Sequence, residues 1–128
     1  MKTKVTEGVR ISVEVFYQPD YSQPLSGEYM FAYRITITNE SEYAVKLLRR
    51  HWHITDANGV VREVEGEGVV GQQPVIEPGA SHQYVSGSAI KTEIGKMHGT
   101  YLMQRLIDEV KFKVHIPEFQ MVAPYKLN

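Results

Sequence analysis

The sequence predicts an all-β protein: a single antiparallel β-sandwich of the immunoglobulin or fibronectin type III kind, with seven or eight strands. Three observations lead to this prediction. Apolar and polar residues alternate along most of the chain, which is the period of a half-buried strand. Glycine, proline and asparagine separate the alternating runs. The 128 residues suffice for one domain but not for two ordinary ones. Short strands separated by turns are typical of a sandwich, with a closed barrel as the alternative.

The alternation places the strands in chain order. In the first run, Val9, Ile11 and Val13 face one side, while Arg10 and Ser12 face the other. Later runs repeat this pattern. The predicted strands are residues 9–15, 29–38, 43–55, 60–65, 81–87, 99–106 and 108–116.

The segments between the strands are expected to be irregular. Residues 17–28 contain two prolines and a glycine, which predicts a long loop, and only residues 91–97 could form a helical turn. We therefore expect one domain over residues 1–128, with a core at about residues 8–117 and an irregular tail at residues 118–128.

One strand carries a break in its alternation. Val45 and Leu47 share a face, but the apolar pattern then continues with Leu48, Trp52 and Ile54. An extra residue in one strand shifts the phase in this way, so the sequence predicts a β-bulge at Leu47 and Leu48.

Composition limits the classes of function. Fourteen basic and fifteen acidic residues give a net charge of −1, unlike the basic surface of a nucleic-acid-binding protein. The absence of cysteine excludes thiol catalysis and favours a reducing compartment. No apolar run approaches the ~18 residues of a membrane span, and the N-terminus lacks the apolar core of a signal peptide. We expect a cytoplasmic protein without membrane insertion.

The glycine-rich run GEGVVG at residues 66–71 has the spacing of a dinucleotide-binding fingerprint. That fingerprint needs a helix to hold the pyrophosphate, and Pro74 and Pro78 prevent one here. The favoured interpretation is that these glycines supply positive φ angles where a strand ends. A nest of backbone N–H groups for phosphate or carboxylate stays open as an alternative, with Arg50 nearby.

The candidate residues for binding an anion or a partner are those of this glycine-rich run together with the nearby arginine: Arg50, Gly66, Gly68, Val69, Val70 and Gly71.

A short hairpin predicts the register of two strands. If residues 57–59 form a three-residue turn, Trp52 lies opposite Val64 on the inner face. Arg49 then lies opposite Glu67 on the outer face.

The same register brings two histidines and two glutamates together on the outer face. His51 lies opposite Glu65, and His53 lies opposite Glu63. We favour a cross-strand charge ladder over a metal site. The metal alternative, with imidazole and carboxylate ligands, would suit cobalt, nickel or zinc but not magnesium. His98 and His115 are expected to be solvated.

Five spaced motifs carry a resemblance to a known family. They are W-x-I-x-D-x-x-G at 52–59, G-x-G-V-V-G-x-Q-P at 66–74, I-x-P-G at 76–79, Y-x-S-G at 84–87 and G-x-M-x-G-x-Y-x-M at 95–103. With the strand FAYRITI before them, the chain resembles the ApaG family over nearly its whole length. His53 departs from the family pattern, which usually has an aliphatic residue there.

The resemblance implies a fibronectin type III-like sandwich and an association with cobalt and magnesium resistance or efflux. Related domains in F-box proteins and in a polymerase delta-interacting protein look like partner-binding modules, and the family supplies no catalytic residues to carry over. We therefore expect a non-enzymatic binding or regulatory module with a protein partner and no cofactor. The alternative is a small-anion protein that binds phosphate or pyrophosphate at residues 66–71.

Overall fold

The computed structural model describes residues 1–124, which form two antiparallel β-sheets packed as a sandwich. The strands of this region are β1 Lys2–Thr6, β2 Val9–Tyr17, β3 Tyr29–Asn39, β4 Val45–Asp56, β5 Val61–Glu67, β6 Val75–Ile76, β7 Ser81–Ile90, β8 Ile94–Arg105 and β9 Lys111–Val122. The first sheet has the order β1-β2-β3-β7. The second has the order β5-β4-β8-β9, with β6 paired to β4.

The predicted all-β sandwich is confirmed, with nine strands among residues 1–124 instead of seven or eight. The strands divide between two sheets and do not form the alternative barrel. The more specific assignment to the immunoglobulin or fibronectin type III kind stays a prediction.

Three strand regions were not predicted from the sequence: β1, the two-residue strand β6 and the second half of β9. β1 is exposed along most of its length, so it lacks the alternation that marks a half-buried strand. The tail prediction for residues 118–128 was wrong up to Val122, where β9 ends; residues 125–128 lie outside the described part. Pro117 is tolerated inside β9 because the β8–β9 register is irregular at that point. Proline has no N–H group to donate, and Pro117 has no paired residue on β8 that would need one.

The predicted helical turn at residues 91–97 was also wrong. Lys91–Glu93 form a tight connection between β7 and β8, and the rest of that segment is strand. The loop prediction for residues 17–28 is confirmed, and two short 3₁₀ turns, Pro19–Tyr21 and Pro24–Ser26, lie within it. No helix among residues 1–124 has the length and apolar character needed to cross a membrane.

The predicted bulge in β4 is confirmed, because the β4–β8 register shifts between Leu47 and Arg49. After the bulge, Trp52 and Ile54 are buried between the sheets. Alternation then gives Arg50 the same inward direction and turns His51 outward. The bulge thus sets which β4 side chains face the core.

Trp52 is the centre of the core. Its side chain is 2% exposed, and its ring centroid lies 5.4 Å from that of Tyr33 and 5.9 Å from that of Phe119. Tyr33 belongs to the first sheet and Phe119 to the second, so Trp52 joins the two layers. The ring of Tyr101 meets it edge-on at 6.5 Å.

The two lateral sides of the sandwich differ. On one side β9 lies against β1 and β2, and the His115 N–H donates to the Thr6 hydroxyl at 3.2 Å. On the other side, β5 and β7 are the terminal strands of their sheets. There Arg62 on β5 spans the gap, since its Nη2 atom donates to the Ala89 carbonyl at 3.1 Å and the Ser88 hydroxyl at 3.3 Å. The sandwich is therefore open along β5 and β7.

Candidate functional site

Arg50 points into the open side of the sandwich. Its Nη1 atom donates to the carbonyl oxygens of Glu67 and Gly68, both at 3.0 Å. Gly66 lies directly opposite Arg50 in the ladder, and a Cβ atom at Gly66 would stand 2.8 to 3.0 Å from the guanidinium atoms. The absence of a side chain at Gly66 therefore leaves room for the guanidinium group of Arg50. The sequence did not predict this role for Gly66.

The guanidinium of Arg50 borders a cavity of about 380 Å³, which we call the edge cleft. It lies between β5 and β7, and its lining includes Tyr33, Tyr84 and Ser86 beside Val70. In the part of the chain that the structure describes, Arg50 forms no ion pair with a carboxylate. A cation with hydroxyl groups around it is suited to receive an anion.

The tyrosines of the edge cleft stay protonated at neutral pH. Burial raises the pKa of the Tyr33 phenol, and the nearby Ser86 hydroxyl and Arg50 guanidinium lower it only in part. Burial likewise raises the pKa of Tyr84, whose hydroxyl shares a hydrogen bond with that of Tyr101. The cleft thus presents neutral hydroxyls and one positive charge.

The glycine-rich run ends in a tight turn beside this cleft. The Val69 N–H donates to the Gln72 carbonyl at 2.8 Å, and the Gln72 N–H returns to Val69 at 3.0 Å. Val70 and Gly71 between them have φ values of 47° and 75°. Positive φ at both central residues defines a type I′ turn.

The predicted positive φ angles are confirmed at Gly68, with a φ of 63°, and at Gly71, but Gly66 lies inside β5 and is not among the positive-φ residues. The Gly68 N–H donates to the Leu48 carbonyl at 2.9 Å. The N–H groups of Gly68 and Val69 are therefore both already used in hydrogen bonds within the protein. An anion nest over the whole run is therefore not present. Among the described residues, the N–H groups of Val70 and Gly71 donate to no protein acceptor.

Val70 is strained, because a β-branched residue at positive φ is a genuine outlier. Its side chain is 64% exposed at the mouth of the edge cleft, and that of Val85 across the mouth is 57% exposed. Strain of this kind is found where a residue serves a purpose other than stability. The two valines give the cleft an apolar rim. Val69, by contrast, is buried in the core.

Val70→Asn is expected to stabilise the protein by about 1 kcal/mol, because asparagine tolerates the left-handed conformation and Asn-Gly is the favoured type I′ pair. The thermal midpoint, measured by circular dichroism, should rise by about 3 °C. Val85→Asn is the matched control, since it removes an equally exposed valine from a strand and should bring no rise. Equal midpoints for the two variants would show that Val70 is not strained.

The predicted register of β4 and β5 is confirmed at every position. Trp52 lies opposite Val64, His51 opposite Glu65 and His53 opposite Glu63.

The side chains on the outer face make the directly opposed contacts and also a shorter diagonal contact from His51 to Glu63. His51 Nε2 lies 2.8 Å from Glu63 Oε1, and His51 Nδ1 lies 3.3 Å from Glu65 Oε1. His53 Nε2 lies 3.5 Å from Glu63 Oε1.

A third histidine, which was not predicted to lie nearby, joins these side chains. His98 on β8 lies opposite His53, and the two rings stack with centroids 4.8 Å apart. We call His51, His53, His98, Glu63 and Glu65 the histidine ladder. The expected solvation of His98 is confirmed, since His98 is exposed. Its contact with His53 was not predicted, because β4 and β8 are distant in sequence and no local pattern indicates that they pair.

The sequence pattern of the ApaG domain matches residues 19–105. The chain belongs to the ApaG family. Protein ApaG of Brucella suis biovar 1 is 47% identical over 124 residues, which cover 97% of this chain and 95% of that relative. Protein ApaG of Brucella anthropi is 49% identical with the same coverage.

Solved structures agree with this assignment. The crystal structure described as the putative ApaA protein from Bordetella pertussis has a TM-score of 0.88 at 41% identity, and the match covers 92% of this chain and 95% of that one. The ApaG pattern ends at the last residue of β8. It therefore contains both the edge cleft and the histidine ladder of this ApaG protein, and it leaves out β1, β2 and β9.

Proposed function

We propose that this ApaG protein is a non-catalytic binding module that receives an anionic group of a protein partner in the edge cleft. The inward position of Arg50 carries the proposal. Its half-buried guanidinium meets two backbone carbonyls but, among residues 1–124, no carboxylate, so an anionic ligand would complete its set of contacts. The cobalt and magnesium association that the ApaG resemblance implies would then depend on this partner. We propose the cytoplasm as its compartment.

The surroundings of Arg50 support a protein partner. β5 and β7 are edge strands, and such edges accept extended segments of other chains. Val70 and Val85 add exposed apolar surface at the mouth of the cleft. A partner that combines an acidic group with apolar neighbours matches both features.

The residues of the edge cleft do not support catalysis. Ser86 is the candidate nucleophile, but the residues that line the cleft around it include no histidine or lysine to act as its base. Glu67 also lines the cleft, but its backbone carbonyl holds Arg50 and its side chain lies on the outer face, in register with Arg49. A cation and neutral hydroxyls without a base suit recognition.

A second candidate function is the binding of a small anion such as phosphate or pyrophosphate. The free N–H groups of Val70 and Gly71 favour it, since they lie at the turn that lines the same cleft. Dinucleotides are not candidates, because residues after Gly71 form turns and the short strand β6 where a helix would be needed.

Arg50→Gln is expected to abolish partner binding while the domain stays folded. Proteins captured from a cytoplasmic extract by the wild type should be lost with Arg50→Gln, because glutamine removes the charge that the anion needs. Arg34→Gln is the matched control, because it makes the same substitution on β3 at an arginine that lies outside the edge cleft. Arg34 forms an ion pair with Glu14 at 2.9 Å. It should capture the same proteins as the wild type.

A conservative variant and a check of folding complete this test, and a titration tests the second candidate function. Arg50→Lys keeps the charge but loses the planar fork, so it should bind with intermediate strength. Circular dichroism must show that all variants are folded. Titration with pyrophosphate, followed by amide chemical shifts, tests the second candidate: shifts should centre on Val70 and Gly71 and weaken with salt. Capture that is unchanged by Arg50→Gln would refute the proposed function.

A further inference from the structure

We propose that His51, His53 and Glu63 form a binding site for a divalent transition-metal ion of the zinc class, with Glu65 holding His51 in the binding orientation. The site lies on the outer face of the second sheet. It is therefore separate from the edge cleft, because neighbouring residues of a strand point to opposite faces and His51 follows Arg50 directly.

The geometry brings three ligand atoms together. One nitrogen of each histidine and one oxygen of Glu63 all lie within 4.8 Å of one another. Both Nε2 atoms face the same carboxylate oxygen, at 2.8 Å for His51 and 3.5 Å for His53. The ligands stand on two paired strands whose register is fixed, so the backbone already holds them in place.

Only small movements separate this arrangement from a metal centre. Zinc ligands lie roughly 2.0–2.2 Å from the ion in a tetrahedron, which places neighbouring ligand atoms about 3.4 Å apart. The Glu63 side chain is 60% exposed and can rotate by the needed ångström or so. Three protein ligands leave the fourth position to water.

Glu65 occupies the position of a supporting residue. Its carboxylate oxygen lies 3.3 Å from His51 Nδ1, the ring nitrogen that does not face Glu63. Histidines that bind metals commonly donate this second N–H to a carboxylate, which fixes the tautomer and the ring orientation. With a proton held on Nδ1 by Glu65, a metal ion would take the place of the Nε2 proton that now faces Glu63 and bind the lone pair of that nitrogen.

Not every ring nitrogen of the histidine ladder has a hydrogen-bond partner among the described residues. His51 makes a hydrogen bond with Glu63, but among the described residues the Nδ1 atom of His53 is buried without a partner. The ring of His53 lies 4.5 Å from that of His51 and 4.8 Å from that of His98. Adjacent imidazoles of this kind can serve together as ligands for zinc.

Isothermal titration calorimetry with ZnCl₂ tests this site on the full chain. The wild type should bind one ion per chain, and the His51→Ala, His53→Ala double variant should bind more than about 100-fold more weakly, because it keeps one of three ligands. Glu65→Gln should weaken binding by about 10- to 100-fold, as expected for a supporting residue. Mg²⁺ should not bind, because it prefers oxygen ligands.

His98→Ala is the matched control, since it removes a neighbouring histidine that is outside the ligand set. It should leave zinc affinity unchanged, and the ring resonances of His51 and His53 should still shift when the ion is added. Zinc binding that is absent in the wild type, unchanged in the double variant or lost in His98→Ala would overturn the proposal.

Discussion

Trp52→Ala is expected to lower the free energy of unfolding by about 3–5 kcal/mol. The side chain is 2% exposed and contacts aromatic rings from both sheets. Truncation removes its buried apolar surface and leaves a cavity that Tyr33 and Phe119 cannot fill, because each is held on a strand of its own sheet. A loss of this size is a large fraction of the roughly 5–15 kcal/mol that stabilises an ordinary domain.

Urea denaturation followed by circular dichroism measures this loss; fluorescence cannot, since Trp52 is the one tryptophan of the chain. Tyr21→Ala is the control, because the Tyr21 side chain is 76% exposed. Its effect should stay within about 0.5 kcal/mol. Trp52→Phe should lie between the two. A Trp52→Ala variant as stable as the Tyr21 control would contradict the described core.

Gly68→Ala is expected to lower the free energy of unfolding by about 2–4 kcal/mol. Gly68 has a φ of 63°, which alanine adopts at a cost. Its new Cβ atom would also collide with the carbonyl oxygen of Gln72. That oxygen accepts the hydrogen bond from Val69, so it cannot move without opening the turn.

Gly71→Ala separates these two costs. Gly71 has a similar φ of 75°, but nothing lies within 4 Å of the position where its Cβ would stand. It should therefore lose only about 1 kcal/mol, the conformational part. Thermal or urea denaturation of both variants gives the difference directly. If the two lose equal stability, the collision at Gln72 has no energetic role and the packing of the turn differs from that described.

The strand arrangement was predictable wherever the signal was local. Alternation identified the main strands, and the turn at residues 57–59 determined the β4–β5 register to the residue. The phase slip after Leu47 likewise revealed the bulge. These features depend on residues close in sequence, where periodicity and turn chemistry act directly.

The candidate site was predictable only in part. Arg50 and the glycine run were singled out, but the pairing of β4 with β8, and with it the stacking of His98 on His53, depends on contacts distant in sequence. The occupied N–H groups of Gly68 and Val69 depend on Leu48 and Gln72, which no spacing rule connects to them. Which N–H groups are left free depends on the tertiary structure and cannot be inferred from local sequence.

The terminal position of β5 has a consequence for self-association. An unpaired strand edge can template the addition of another chain and lead to aggregates. Glu63, Glu65 and Glu67 project from β5 at alternate positions and are all exposed, so a second copy approaching this edge would bring like charges face to face. The same three glutamates therefore keep the molecules apart. High salt would screen these charges and weaken this protection, which favours buffers of low ionic strength for concentrated samples.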